Sequence, residues 1–154
     1  MNLNTLRNQY ISLIKPLNVV NCRDYVMVSS PLRANFSAGW NDTPPYCNEA
    51  PGFTLNIPIL HKNNFPIVVK IEKINLPKII LSDNFSEMEI ITMSELLDCQ
   101  DPSIPFALHK SAILSSGLIP FDANFNLNEF LKNLTGFKLS TSVTDIPIGS
   151  RSWD

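Results

Sequence analysis

The stretch Asn126-Leu-Asn-Glu-Phe-Leu-Lys-Asn-Leu-Thr-Gly-Phe-Lys-Leu-Ser-Thr-Ser-Val143 decides the fold. Its first half repeats Leu127, Phe130, Leu131 and Leu134 at the i, i+3, i+4, i+7 spacing of a helix with one apolar face. Asn126 stands where a side chain can accept from an otherwise unsatisfied backbone N–H, Glu129 is at the N3 position, and Gly136 suits the residue just past the helix end. Beyond Gly136 the period drops to two. Phe137, Leu139, Thr141 and Val143 alternate with Lys138, Ser140 and Ser142, which predicts a half-buried strand.

Working outward, Leu3, Leu6, Tyr10 and Leu13/Ile14 recur at helical spacing and Pro16 ends the pattern, so the chain opens on an amphipathic helix. Residues 17–40 read as two or three strands, with Val19-Val20 and Tyr25 to Val28 as their cores. Residues 41–52 carry Pro44, Pro45 and Pro51, which lack the ladder donor, and so predict a surface loop around Tyr46. Residues 53–60 and 66–75 resemble two strands joined as a hairpin through His61-Lys62-Asn63-Asn64. Strands are also predicted at 78–81 and 87–92, followed by a short helical turn over 95–99. Residues 106–115 read as a helix with Pro105 at its N1 position and Gly117 past its end. Helices flank a mostly β middle with no βαβ alternation. The expected class is α+β, one domain over residues 1–154, with a mostly antiparallel sheet, an N-terminal helix and two helices in the C-terminal half.

Length and composition agree with a folded domain. The 154 residues are 44% hydrophobic and 17% charged, and that balance is globular rather than disordered. No stretch reaches the roughly 18 consecutive apolar residues of a membrane helix, and polar residues break every candidate leader run in the first thirty, so a cytoplasmic location is expected. Cys22, Cys47 and Cys99 are odd in number and widely spaced, which argues against a disulfide framework or a CxxC metal site. Five isolated glycines form no phosphate loop, and no cofactor is expected.

Charge is the feature with a functional reading. Between Ile79 and His109 stand Asp83, Glu87, Glu89, Glu95, Asp98 and Asp101, with no Lys or Arg. A segregated acidic face suits a basic protein partner, and Trp40 and Tyr46 beside the proline-rich loop could serve as aromatic anchors. The expected function is therefore non-catalytic binding by an inhibitor or immunity-type protein that neutralises a basic partner such as a nuclease toxin. No clustered basic stripe is present for duplex nucleic acid, so nucleic-acid binding is not expected.

Two alternatives stand beside it. His61 and His109, each followed by a lysine, could act as base and acid of a small phosphodiesterase if they converge. A structural subunit of a phage or secretion assembly could instead use the proline-rich loop and free strand edges. Glu87 and Glu89 share one strand face and are the best ion-binding pair in the sequence, though no ordered metal motif accompanies them. No catalytic or metal residue is assigned.

Overall fold

In a computed structural model of the chain, residues 3–17, 23–37 and 44–146 are described. The elements run α1 (Leu3–Leu13), β1 (Tyr25–Ser30), β2 (Leu32–Ser37), α2 (Tyr46–Glu49), β3 (Leu55–Ile59), β4 (Ile67–Ile74), β5 (Ile79–Ser82), β6 (Glu87–Ile90), α3 (Met93–Leu97), a 3-10 turn (Asp98–Gln100), α4 (Ala107–Ser115), α5 (Leu127–Leu134) and β7 (Gly136–Val143). The class is α+β. Five strands are ordered β1-β4-β7-β5-β6, and β2 with β3 forms a separate pair. The chain divides into two units, residues 1–26 with 70–140, and residues 27–69 with 141–154.

The first unit holds the apolar core. Ile79 and Leu81 of β5, Ile90 of β6, Leu96 of α3, Leu114 of α4, Leu131 of α5, and Phe137 and Leu139 of β7 are all buried. Strand β5 runs antiparallel to β6, Ile79 opposite Ile90 and Ser82 opposite Glu87. It also pairs with β7, in parallel, from Ile79↔Phe137 to Ser82↔Ser140. That register turns Ile79 and Leu81 inward together, as a period of two requires.

The 126–143 stretch forms the helix and strand that its pattern predicts. The Asn126 side chain accepts from Glu129 N at 3.1 Å, and Leu127 and Leu131 are buried. The end of α5 differs from expectation. Thr135, at φ +75, takes the left-handed position, and Gly136 is the first residue of β7. Glycine is needed there for space, because a Cβ would lie 2.0 Å from the Leu76 carbonyl oxygen and 2.2 Å from that of Lys78. Helix α4 also starts later than the proline signal predicts: Phe106, at φ +59, is its N-cap, so Pro105 is not at N1. At its other end Gly117 takes φ +77, as expected of a residue past a helix terminus.

Helix α1 forms, but Leu6, Tyr10 and Leu13 of its anticipated apolar face are exposed; Ile14 of that face is half-buried, as is Ile11 outside it. Within this unit α1 is tied by Arg7, whose guanidinium donates to Gln100 at 2.7 Å and lies 5.5 Å from the centre of the Phe121 ring.

The second unit is built on strands. Strand β3 pairs antiparallel with β2, Leu32 opposite Ile59 and Ala34 opposite Ile57, with an irregularity between Asn35 and Ser37. This corrects the expected β3–β4 hairpin. The turn at 61–64 does form, with His61 N donating to Asn64 O at 3.0 Å and Asn64 N to His61 O at 2.8 Å, but it closes only an isolated bridge. Pro66 has no N–H to continue such a ladder, and its carbonyl accepts from Thr144 N at 3.0 Å. Lys62 and Asn63, the two central residues, have φ of +49 and +61, the signature of a two-residue type I′ turn. In the proline-rich segment residues 46–49 form the single turn α2.

Candidate functional site

Each of the six acids of the 83–101 window has an intramolecular partner. Asp83 closes the β5–β6 turn, accepting from Phe85 N at 2.8 Å, Ser86 N at 2.7 Å and Ser86 Oγ at 3.1 Å. Partial desolvation raises its pKa, but these hydrogen bonds together outweigh it and hold the carboxyl below its ordinary value. Glu87 pairs with Lys138 and Glu89 with Lys78. Glu95 accepts from Ile91 N and Thr92 N at 2.9 Å each, while Thr92 Oγ1 accepts from Glu95 N, a reciprocal cap on α3 that depresses the Glu95 pKa. Asp98 holds Lys110, and Asp101 accepts from Ser103 Oγ at 2.6 Å and Ser103 N at 2.9 Å, which lowers its pKa.

Half of the window's negative charge is thus met by Lys78, Lys110 and Lys138, lysines that lie outside it in sequence. The other three acids order turns and a helix start. Docking of a basic partner on this face is left to a binding measurement. Trp40 lies outside the described residues, as does the side chain of Tyr46. Among the described residues no group of three or more His, Cys, Asp or Glu could hold a metal ion, and Glu87 and Glu89 each face a lysine.

The two histidines belong to different units and have different surroundings. His109, on α4, packs edge-on against Phe106 with ring centres 5.1 Å apart. Burial lowers its pKa, and the Asp83 charge partly opposes that shift. His61 stands at the first corner of the type I′ turn in the second unit. Its Nε2 is shut off from solvent and has no hydrogen-bond partner among the described residues.

His61 is also one of the residues that line an open cleft of about 370 Å³, with Ser29, Lys62, Asn64, Phe65, Pro66, Thr144 and Asp145. Lys62 Nζ meets Asp145 Oδ2 at 2.8 Å, and this hydrogen bond, with the lysine charge, holds the carboxyl below its ordinary value. The turn brings His61, Lys62 and Asn64 to the cleft from one side. The segment leaving β7 brings Thr144 and Asp145 from the other, secured by the bond between Thr144 N and Pro66 O. Asp145 also has a left-handed backbone, at φ +63. Serine, threonine, asparagine, histidine, lysine and aspartate together supply both donors and acceptors, with Phe65 and Pro66 as an apolar wall.

Of these residues the sequence singles out His61 and Lys62 but not Asp145, Thr144, Ser29 or Phe65. The available signal was the polar turn itself, flanked by Phe65-Pro66. Nothing in the aperiodic tail marked Thr144 and Asp145. Among the described residues no helix is long and apolar enough to cross a membrane.

No protein-family model matches the chain. A bifunctional fucokinase/GDP-fucose pyrophosphorylase of Arabidopsis thaliana is 34% identical over 93 residues, which are 60% of this chain and 9% of that protein. An L-fucokinase/L-fucose-1-P guanylyltransferase of Bacteroides fragilis is 33% identical over 126 residues, 79% of this chain and 13% of that protein. The chain therefore spans about a tenth of the length of the curated relatives it matches.

Proposed function

We propose that this chain acts in the activation of L-fucose, either in phosphorylation of the sugar or in coupling of its 1-phosphate to a guanylyl group. The observation that carries this reading is the 33% identity over 126 residues to the L-fucokinase/L-fucose-1-P guanylyltransferase of Bacteroides fragilis. A plant protein whose name pairs the corresponding activities matches the chain at a similar level of identity and adds to that support. The polar cleft of the second unit is consistent with it, since convergent donors and acceptors beside an apolar wall suit a small hydroxylated ligand.

The test is calorimetric titration of the 154-residue chain with L-fucose, L-fucose 1-phosphate, ATP and GTP. Saturable binding of the sugar or its 1-phosphate supports the reading. Binding of neither, by a chain that unfolds cooperatively on heating, overturns it.

A further inference from the structure

Three observations on the second unit's cleft point to the chemistry of what it holds. The first is charge: the Lys62–Asp145 pair is neutral as a unit, so the rim favours neither a strong anion nor a cation. The second is the His61 Nε2 atom, closed to solvent and without a partner among the described residues. Buried polar atoms in native proteins are nearly always hydrogen-bonded, and leaving one unpaired is costly, so this nitrogen is hydrogen-bonding capacity held for something else. The third is backbone conformation. Lys62, Asn63 and Asp145 all occupy the left-handed region, which disfavours side chains larger than glycine's. The I′ turn accounts for the first two, and the third sets the Asp145 carboxylate against Lys62.

Around these groups stand the hydroxyls of Ser29 and Thr144, the Asn64 amide and the ring of Phe65. We propose that the cleft binds an uncharged ring carrying adjacent hydroxyls, the pyranose of a sugar or the ribose of a nucleoside. The hydroxyl pair donates to the Asp145 carboxylate, the His61 side chain turns so that its Nε2, otherwise closed to solvent, meets another ring oxygen, and the carbon face of the ring lies on Phe65. A carboxylate offers about four lone-pair sites, so the bond to Lys62 leaves room for a diol. The Lys62 contact keeps Asp145 ionised and oriented before the ligand arrives. This deepens the preceding reading and rests on it for the two ring sources, since L-fucose and a guanylyl donor both carry vicinal hydroxyls.

The experiment is an amide ¹H–¹⁵N titration of the 154-residue chain with L-fucose, guanosine and 2′-deoxyguanosine in parallel, with D-galactose as a further hexose. The expected result is saturable shifts at residues 61–65 and 144–145 with L-fucose or with guanosine. Asp145→Asn and Thr144→Val should each weaken the affinity, the former about tenfold or more as befits loss of a charged acceptor. If guanosine is the ligand, its 2′-deoxy form binds more weakly by a similar factor. Thr144→Val leaves the Lys62–Asp145 pair in place, so its effect does not depend on that bond surviving. L-fucose shifts confined to residues outside the cleft, unaltered by both variants, overturn the site and leave the L-fucose reading standing. Cleft shifts from D-galactose with none from L-fucose or guanosine support the site and count against the L-fucose reading. Silence at the cleft with every probe at tens of millimolar overturns the proposal.

Discussion

Lys110 Nζ lies 2.7 Å from Asp98 Oδ1, and the lysine side chain is 1% exposed while that of the aspartate is 41% exposed. A buried ammonium is stable only because this carboxylate meets it at the edge of the core. Removing the carboxylate strands a charge in apolar surroundings, which costs about 3–5 kcal/mol for a fully buried pair. The open side of Asp98 lets water compensate in part, so Asp98→Ala should cost about 3 kcal/mol in urea unfolding. Lys110→Met removes the charge but keeps the length of the side chain, and should stay within about 1 kcal/mol of wild type. In the double variant most of the Asp98→Ala loss should vanish, since no charge is left to strand.

The acids were plain in the sequence, but their partners were not. Glu87 and Lys138 are 51 positions apart, and they meet diagonally across β5, which lies between β6 and β7. Period-two alternation shows which side of a strand a residue faces and not which strand stands beside it. The α5–β7 stretch was legible because its cap, apolar face and alternation are all local. The cleft was half legible: the polar turn at 61–64 shows in the sequence, while Thr144 and Asp145 reach it through a tertiary contact that leaves no pattern in the tail.

The same contrast ranks the acids by stability. Thr92 and Glu95 satisfy backbone groups at the start of α3, and loss of such a cap costs about 1 kcal/mol. Glu87 and Glu89 are about half exposed, and ion pairs at such positions are worth about 0–1 kcal/mol. Thr92→Ala should therefore lower the urea midpoint more than Glu87→Gln or Glu89→Gln does. The Glu87→Gln/Glu89→Gln variant, still folded, also tests docking: a basic protein held by this window would be captured less well by it, most clearly at low salt, where unscreened charge speeds association.

Stability should fall on mild acidification, and His109 is the reason. Burial depresses its folded-state pKa, so the unfolded chain, titrating near 6.5, takes up a proton that the folded state resists. The resulting stability is present above about pH 6.5 and is lost as pH falls through the lower folded value. Urea midpoints at pH 7, 6 and 5 should decline for wild type and decline less for His109→Gln, which cannot titrate. Glu95, whose pKa is also depressed, adds a separate loss at lower pH that begins near the ordinary glutamate value of about 4.3. Thr92→Ala should shrink that acid limb and leave the limb between pH 7 and 5 unchanged.

Thr135 and Gly136 make opposite predictions at neighbouring positions. Thr135 has φ +75 and ψ +154, a region almost reserved for glycine, and its hydroxyl oxygen is buried with no partner among the described residues. Both terms oppose folding: the backbone costs about 1–3 kcal/mol and the unpaired hydroxyl adds to it. Thr135→Gly removes both and returns about 1 kcal/mol of added chain entropy to the unfolded state. The net should be a gain of about 1 kcal/mol, read as a higher melting temperature. At Gly136 a Cβ would stand 2.0 Å and 2.2 Å from two backbone oxygens, and neither can move without pulling the segment that leads into β5 away from β7. Lys78 O is itself the acceptor for Phe137 N at 3.2 Å, so any shift that admits the methyl group also breaks the bond that starts the β5–β7 pairing. Gly136→Ala should therefore lose about 4 kcal/mol or more, the range reserved for changes that break a defined structural feature. If it melted within a few degrees of wild type, the close approach of the 76–78 backbone to β7 would be wrong, and with it the register that sets Lys138 opposite Ile80.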